Sequence, residues 1–160
     1  MTRTGSRAWA LLANVPDPEI PVLSVVDLGI VRDVTESSDG TAVTVTITPT
    51  YSGCPATEVI ARDVRTALET SYDAVDVQTR LSPAWTTDWM SDAGRQKLRD
   101  FGIAPPGRVL LPIVGPDRPD ACPRCGSRDV EELAGFGSTP CKGLWRCTSC
   151  REPFDYFKSH

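Results

Sequence analysis

Six cysteines, 21 acidic side chains and one histidine bound the chemistry open to this 160-residue chain. Cys122-Pro-Arg-Cys125 and Cys147-Thr-Ser-Cys150 are two C-x-x-C pairs. Each pair sets two thiolates on one tight turn, and two such knuckles can converge on a closed tetrahedral S4 site. A segment of this size cannot build an adequate core alone, so a metal would supply much of its folding energy. Thiolates by themselves do not separate zinc from iron or an iron–sulfur cluster; zinc is the default for a closed ribbon. Two disulfides are the alternative. Met1–Ser6 leads into an amphipathic stretch rather than a signal peptide, which sets the expectation of a cytoplasmic, reducing setting. The single histidine is His160, which argues against a Ser-His-Asp triad, a His metal site or a His general base.

Cys54 stands apart, in Thr50-Tyr51-Ser52-Gly53-Cys54-Pro55. Pro55 suits a first helical position, which puts Cys54 near the N-cap. The helix dipole and free backbone N–H groups there would favour thiolate and lower its pKa. Such a thiol is a nucleophile or a metal ligand; the alternative is an unreactive cap-region cysteine. Asp17-Pro18-Glu19-Ile20-Pro21 holds two carboxylates in a proline-stiffened loop, with Asp27 following. These carboxylates either cap neighbouring N–H groups or act as ligands and acid/base groups near Cys54. Cys141 is a fifth thiol near the quartet, read as a small buried hydrophobe or as a replacement ligand during metal exchange.

The elements that must position these groups fall into two parts. Ala8 to Val15 reads as a helix with Ser6 as N-cap. Residues 29–36 and 41–48 read as a hairpin around Ser38-Asp39-Gly40, the second strand alternating Val43, Val45 and Ile47 with threonines, one face buried and one polar. Pro55 to Ser71 is an amphipathic helix with Ile60, Val64, Ala67 and Leu68 as its stripe. Ala74 to Leu81 predicts a third strand and Asp92 to Phe101 a last helix, with Ser91 as N-cap. This α-ββ-α-β-α order suits a two-layer α/β domain with helices on one face of a small sheet. The division expected is 1–104 for that domain, 105–120 for a Pro-rich linker and 121–160 for the ribbon, with Phe136, Trp145, Phe154, Tyr156 and Phe157 flanking the ribbon core.

Net charge is −4, and residues 121–160 carry 6 basic against 5 acidic groups. Neither balance gives the electrostatic footprint of a nucleic-acid-binding protein. No apolar run approaches the roughly 20 residues of a membrane span.

The DPE–P loop, the run Val25-Val26-Asp27-Leu28-Gly29-Ile30-Val31 and the segment around Cys54 together resemble the iron–sulfur assembly domain of SufT-like proteins. The run from Phe136-Gly137-Ser138-Thr139 through Cys141-Lys142, Trp145-Arg146-Cys147 and Cys150 to Phe157 resembles the narrower PaaD (PaaJ) family of phenylacetate degradation. The resemblance implies an iron–sulfur-cluster-assembly-like α/β fold followed by a zinc ribbon. It implies an accessory protein of phenylacetyl-CoA 1,2-epoxidase, a multicomponent monooxygenase, that matures the iron–sulfur cluster of its reductase. It also singles out Asp17, Glu19 and Cys54, with Thr50 and Pro55 beside them. Structural zinc at Cys122, Cys125, Cys147 and Cys150 and a transient iron–sulfur cluster are the cofactors implied. The reductase and other epoxidase components are the partners, and a cluster bridging two copies through Cys54 would make a homodimer.

The residues favour an accessory role over the competing classes. A di-iron oxygenase component needs Glu-x-x-His ligands in a helical bundle, which this chain lacks. A reductase needs a G-x-G-x-x-G turn, also lacking. A cysteine-dependent enzyme would use Cys54 with no histidine to activate it.

Overall fold

The computed structural model describes residues 6–107 and 117–159. Part of the expected linker, and Met1–Gly5, lie outside the described residues. The chain forms two compact units. The first holds the residues up to Trp85 together with Trp89–Ser91; the second holds Thr86–Asp88 and the residues from Asp92 onward.

In the first unit, α1 (Arg7–Leu12) begins at Ser6, whose hydroxyl accepts from the Trp9 N–H at 3.4 Å. Strands β1 (Val31–Glu36) and β2 (Ala42–Ile47) form the antiparallel hairpin. Gly40, at φ +70°, makes its turn, and Asp39 braces it by accepting from the Ser37 hydroxyl and the Thr41 N–H. From β2 the chain crosses through α2 (Thr57–Glu69) to β3 (Ala74–Thr79), which pairs parallel with β2. The sheet order is β1-β2-β3, so β2 is central. Ile60, Val64 and Leu68 of α2 are buried, as are Ala8 and Leu12 of α1 and Val43, Val45 and Ile47 of β2. Each large apolar side chain withdrawn from water in this way contributes about 2 kcal/mol. Thr46 and Thr48 are buried too, against the expectation of a wholly polar second face. The chain that leads into β1 covers this end of the strand, and Thr48 donates its N–H to the Ile30 carbonyl at 2.9 Å.

In the second unit, α3 (Asp92–Phe101) leads into β4 (Ile103–Ala104), which pairs parallel with β7 (Pro153–Phe157). The hairpin of β5 (Val130–Ala134) and β6 (Lys142–Cys147) completes a sheet of order β4-β7-β6-β5. Its core is Ala104, Cys122, Trp145, Cys147, Phe154 and Tyr156. The buried Arg95 of α3 donates to the Pro106 and Thr87 carbonyls, both at 2.6 Å. The compact units therefore divide earlier than the expected 1–104 and 121–160. The cause is non-local: a two-residue strand and one arginine tie α3 and Pro106 to the ribbon sheet. Phe136 is also corrected. It is 71% exposed and does not flank the ribbon core, unlike Trp145, Phe154, Tyr156 and Phe157, which are all buried. Among the described residues no helix is long and apolar enough to cross a membrane.

Candidate functional site

Among the described residues two groups of chemistry-bearing side chains emerge, one in each unit. In the second unit the four thiols of Cys122, Cys125, Cys147 and Cys150 converge, every sulfur within 4.8 Å of the others. Two turns bring them together. In the first, Gly126, at φ +77°, returns its N–H to the Cys122 carbonyl at 2.9 Å. In the second, Arg151 adopts φ +66° directly after Cys150. The Arg124 N–H points at the Cys122 sulfur at 3.4 Å, and the Cys150 N–H at the Cys147 sulfur at 3.5 Å.

The closest sulfurs belong to different knuckles: Cys122 to Cys150 at 3.8 Å and Cys125 to Cys147 at 3.5 Å. Four sulfurs held at about 2.3 Å from one ion in a tetrahedron lie about 3.8 Å apart. The quartet therefore fits a tetrahedral metal ion, and all four are free cysteines rather than disulfides. Their acidities diverge. Its hydrogen bond from the Cys150 N–H draws the Cys147 thiol down to about 6. The Glu152 N–H pulls on Cys150, but burial and the neighbouring sulfurs outweigh it and push that thiol up to about 12. Like charges this close oppose joint ionisation, and a divalent cation removes the conflict. Cys141 is not one of the four. It is buried, with the Thr139 hydroxyl 3.0 Å from its sulfur.

In the first unit the Glu19 charge reaches Cys54, and Asp17 has a bracing role. Asp17 is buried, and its Oδ1 accepts from the Glu19 N–H at 2.9 Å and the Ile20 N–H at 2.8 Å. Its own N–H bonds the Leu23 carbonyl at 2.8 Å, which closes the loop. Glu19, half-buried, is thereby held in place, and its negative charge bears on Cys54. Thr50 is half-buried on the same approach to α2.

Cys54 is also half-buried, but it sits outside the helix cap. The helix begins at Thr57 with Ala56 as N-cap, and Pro55 lies in the turn before it. The Thr57 N–H and hydroxyl both donate to the Cys54 carbonyl, at 3.2 and 2.9 Å. The expected fall in the Cys54 pKa is overturned. Burial pushes the thiol up and the Glu19 carboxylate adds to this. The Ala56 N–H and the Tyr51 and Thr57 hydroxyls favour thiolate but do not prevail. Tyr51 and Thr57 were not singled out by sequence reasoning; only their nearness to Cys54 in the chain could have suggested them.

A further brace escaped sequence reasoning, although its signature was present. Ser24-Val25-Val26-Asp27 is a reciprocal capping box. Asp27 Oδ2 accepts from the Ser24 N–H and hydroxyl at 3.0 and 2.9 Å, and the Ser24 hydroxyl accepts from the Asp27 N–H at 3.0 Å. The backbone N–H of Ser91 bonds the Asp27 carbonyl at 2.8 Å. Gly29 follows at φ +70°, where a Cβ would lie 2.2 Å from the Trp89 carbonyl oxygen. Asp27 thus braces its own turn and, through its carbonyl, the backbone at Ser91.

Comparison with known proteins finds one family match within each unit. Residues 6–79 match the family model of the iron–sulfur cluster assembly protein, and residues 113–158 match that of the PaaD zinc beta ribbon domain. A protein of Escherichia coli (strain K12), named as one of the subunits of 1,2-phenylacetyl-CoA epoxidase, is 51% identical over 152 residues, covering 94% of this chain and 90% of that one. A protein of Porphyromonas gingivalis named as an Fe-S protein maturation auxiliary factor is 40% identical over 90 residues, covering 55% of this chain and 84% of that one. The crystal structure of a domain of unknown function, DUF59, from Bacillus anthracis superposes with a TM-score of 0.54 at 32% identity, over 57% of this chain and 88% of that one. With both family models matched in order and nine-tenths of the Escherichia coli relative covered, the chain belongs to the PaaD family: an iron–sulfur cluster assembly domain followed by a zinc beta ribbon.

Proposed function

We propose that this chain is an accessory component of phenylacetyl-CoA 1,2-epoxidase that assembles or delivers the iron–sulfur cluster of the reductase, working in the cytoplasm. The observation that carries the proposal is the half-buried Cys54 thiol, within reach of the Glu19 charge, in the domain that matches the assembly family. The zinc ribbon is structural in this reading. Cys122, Cys125, Cys147 and Cys150 hold zinc, which ties the two knuckles together and supplies folding energy.

The chemistry at Cys54 follows from its surroundings. Burial and Glu19 keep the thiol protonated, and therefore poorly nucleophilic, until a cation arrives. Iron approaching the sulfur reverses that balance. Cys54 releases its proton to water as the iron–sulfur bond forms, and the negative Glu19 stabilises the incoming cation. The Ala56 N–H and the Tyr51 and Thr57 hydroxyls then support the bound thiolate. One cysteine is an incomplete ligand set, so the remaining ligands come from the client or from a second copy. Incomplete ligation suits transfer, because the cargo is released once client thiolates replace Cys54.

The test is the iron and acid-labile sulfide content of the reductase from cells that carry Cys54→Ser. Serine is nearly isosteric and ligates iron poorly. A cluster-poor reductase in an epoxidase of normal subunit composition is the expected result. A fully loaded reductase would overturn the role given to Cys54.

A further inference from the structure

From the ribbon surface we infer that Phe136, with Lys158 against its ring, is the anchor by which the chain docks on a protein client, an epoxidase component bearing an apolar pocket with a carboxylate at its rim. This rests on the accessory role proposed above and names the surface that would serve it.

Large apolar side chains on a surface are unremarkable singly, but Leu133 and Phe136 are displayed by construction. β5 is an edge strand of its sheet. Its register with β6 shifts between Glu132 and Ala134, so Leu133 is the extra residue of a bulge, and its side chain is 47% exposed. Bulges re-aim side chains and occur preferentially near functional sites. Three residues on, Phe136 stands between Gly135 and Gly137 and is 71% exposed.

The loop around it is fixed. Gly137 donates its N–H to the Lys142 carbonyl at 2.7 Å, and Lys142 donates to the Thr139 carbonyl at 3.1 Å. A Cβ on Gly137 would come 3.1 Å from Asp155, the ion-pair partner of the buried Lys142. A side chain at Gly137 would need that carboxylate to give by a few tenths of an ångström, so the loop lies close to the sheet. A rigid aromatic side chain loses little entropy on docking, and such residues dominate interface energetics.

Charge complementarity defines the occupant. The Lys158 ammonium sits 4.1 Å from the Phe136 ring centroid and donates to the Gly135 carbonyl at 3.0 Å. It has three protons, so one bond to the protein leaves capacity for an acceptor on the partner. A wholly apolar pocket would bury that ammonium without a partner, which is unfavourable. A carboxylate at the rim resolves it. An anionic membrane would be opposed by the net charge of −4, and one ring with one lysine is a small footprint for a bilayer.

The experiment uses the full metal-loaded chain. The purified reductase and the purified oxygenase components of the epoxidase are immobilised separately, and binding is measured for wild type, Phe136→Ser, Phe136→Leu and Lys158→Met. Metal content per chain reports folding. Phe136→Ser is expected to weaken binding to one component about thirtyfold, Phe136→Leu less, each with full metal. Lys158→Met is expected to weaken it about fivefold and to flatten its salt dependence. Equal binding by all four proteins overturns the proposal, as does failure of wild type to bind any component. Wild-type self-association abolished by Phe136→Ser also overturns it, because the occupant is then a second copy. Reductase cluster content separates the two readings. Loss of binding with a normally loaded reductase retains the docking surface and rejects cluster delivery. Normal binding by Phe136→Ser beside a cluster-poor reductase in Cys54→Ser cells does the reverse.

Discussion

Gly126 and Arg151 occupy equivalent places, each directly after the second cysteine of its knuckle, and both adopt left-handed backbone, at φ +77° and +66°. Glycine takes that conformation freely, whereas a residue with a Cβ does so at about 1–2 kcal/mol. The second knuckle is thus strained where the first is not. Arg151→Gly is expected to stabilise the second unit by about 1 kcal/mol net of the added freedom of the unfolded chain. Urea dependence of amide exchange in β6 and β7 of the metal-loaded protein checks this.

Removing a buried ligand should act on the whole second unit. Cys147 is fully buried in the ribbon core, and α3 and β4 belong to that unit. Cys147→Ser is expected to lose the metal and to expose residues 92–107 as well as 117–159 to protease. Residues 6–85 should remain protected, because the first unit has its own core. Protease mapping by mass spectrometry reads out both. Protection of α3 in the metal-free variant would contradict the division described here.

The Cys54 thiol should titrate above the ordinary range, since burial and Glu19 both oppose its ionisation. Glu19→Gln removes one of these causes. Its Cys54 pKa should fall, and alkylation by iodoacetamide at pH 7.5 should quicken. Mass spectrometry of the Cys54 peptide separates this site from the metal-bound thiols. The sign for stability is also fixed. A thiol whose folded pKa lies above the unfolded one binds more protons when folded. Its contribution is therefore present below the unfolded pKa and is lost as pH rises through the folded pKa.

Asp17 should behave as a brace. Asp17→Ala leaves the Glu19 and Ile20 N–H groups without their acceptor, at about 2 kcal/mol of stability. Asp17→Asn keeps an acceptor oxygen and should be milder. Thermal unfolding of the two variants checks the order. A severe loss of reductase maturation in a stably folded Asp17→Asn protein would show that the carboxylate does more than hold the loop.

What was legible in the sequence was what depends on neighbours along the chain. Ser6 three residues before Trp9, the alternation through Val43, Val45 and Ile47, and the stripe of Ile60, Val64 and Leu68 each encode local geometry, and each element formed. The two C-x-x-C turns were legible for the same reason. Ile103–Ala104 has no periodicity to read, so its pairing with β7, and with it the place of α3, depended on distant residues. The acidity of Cys54 depended on burial and on Glu19, some 35 residues earlier, and neither is encoded at Pro55. Phe136 looked like core because its type is apolar; the bulge that accompanies its exposure is a property of β5 and β6 together.

Turnover by epoxidase whose reductase already carries its cluster separates a maturation factor from a working component of the enzyme. The reductase is purified from cells lacking this protein, its cluster is reconstituted chemically with iron and sulfide, and the oxygenase components are added with phenylacetyl-CoA. A maturation factor has then nothing left to supply. Full turnover is expected without the protein, with no further gain when wild type or Cys54→Ser is added. Turnover that still requires the protein in stoichiometric amount would contradict the account and make it a working component of the epoxidase.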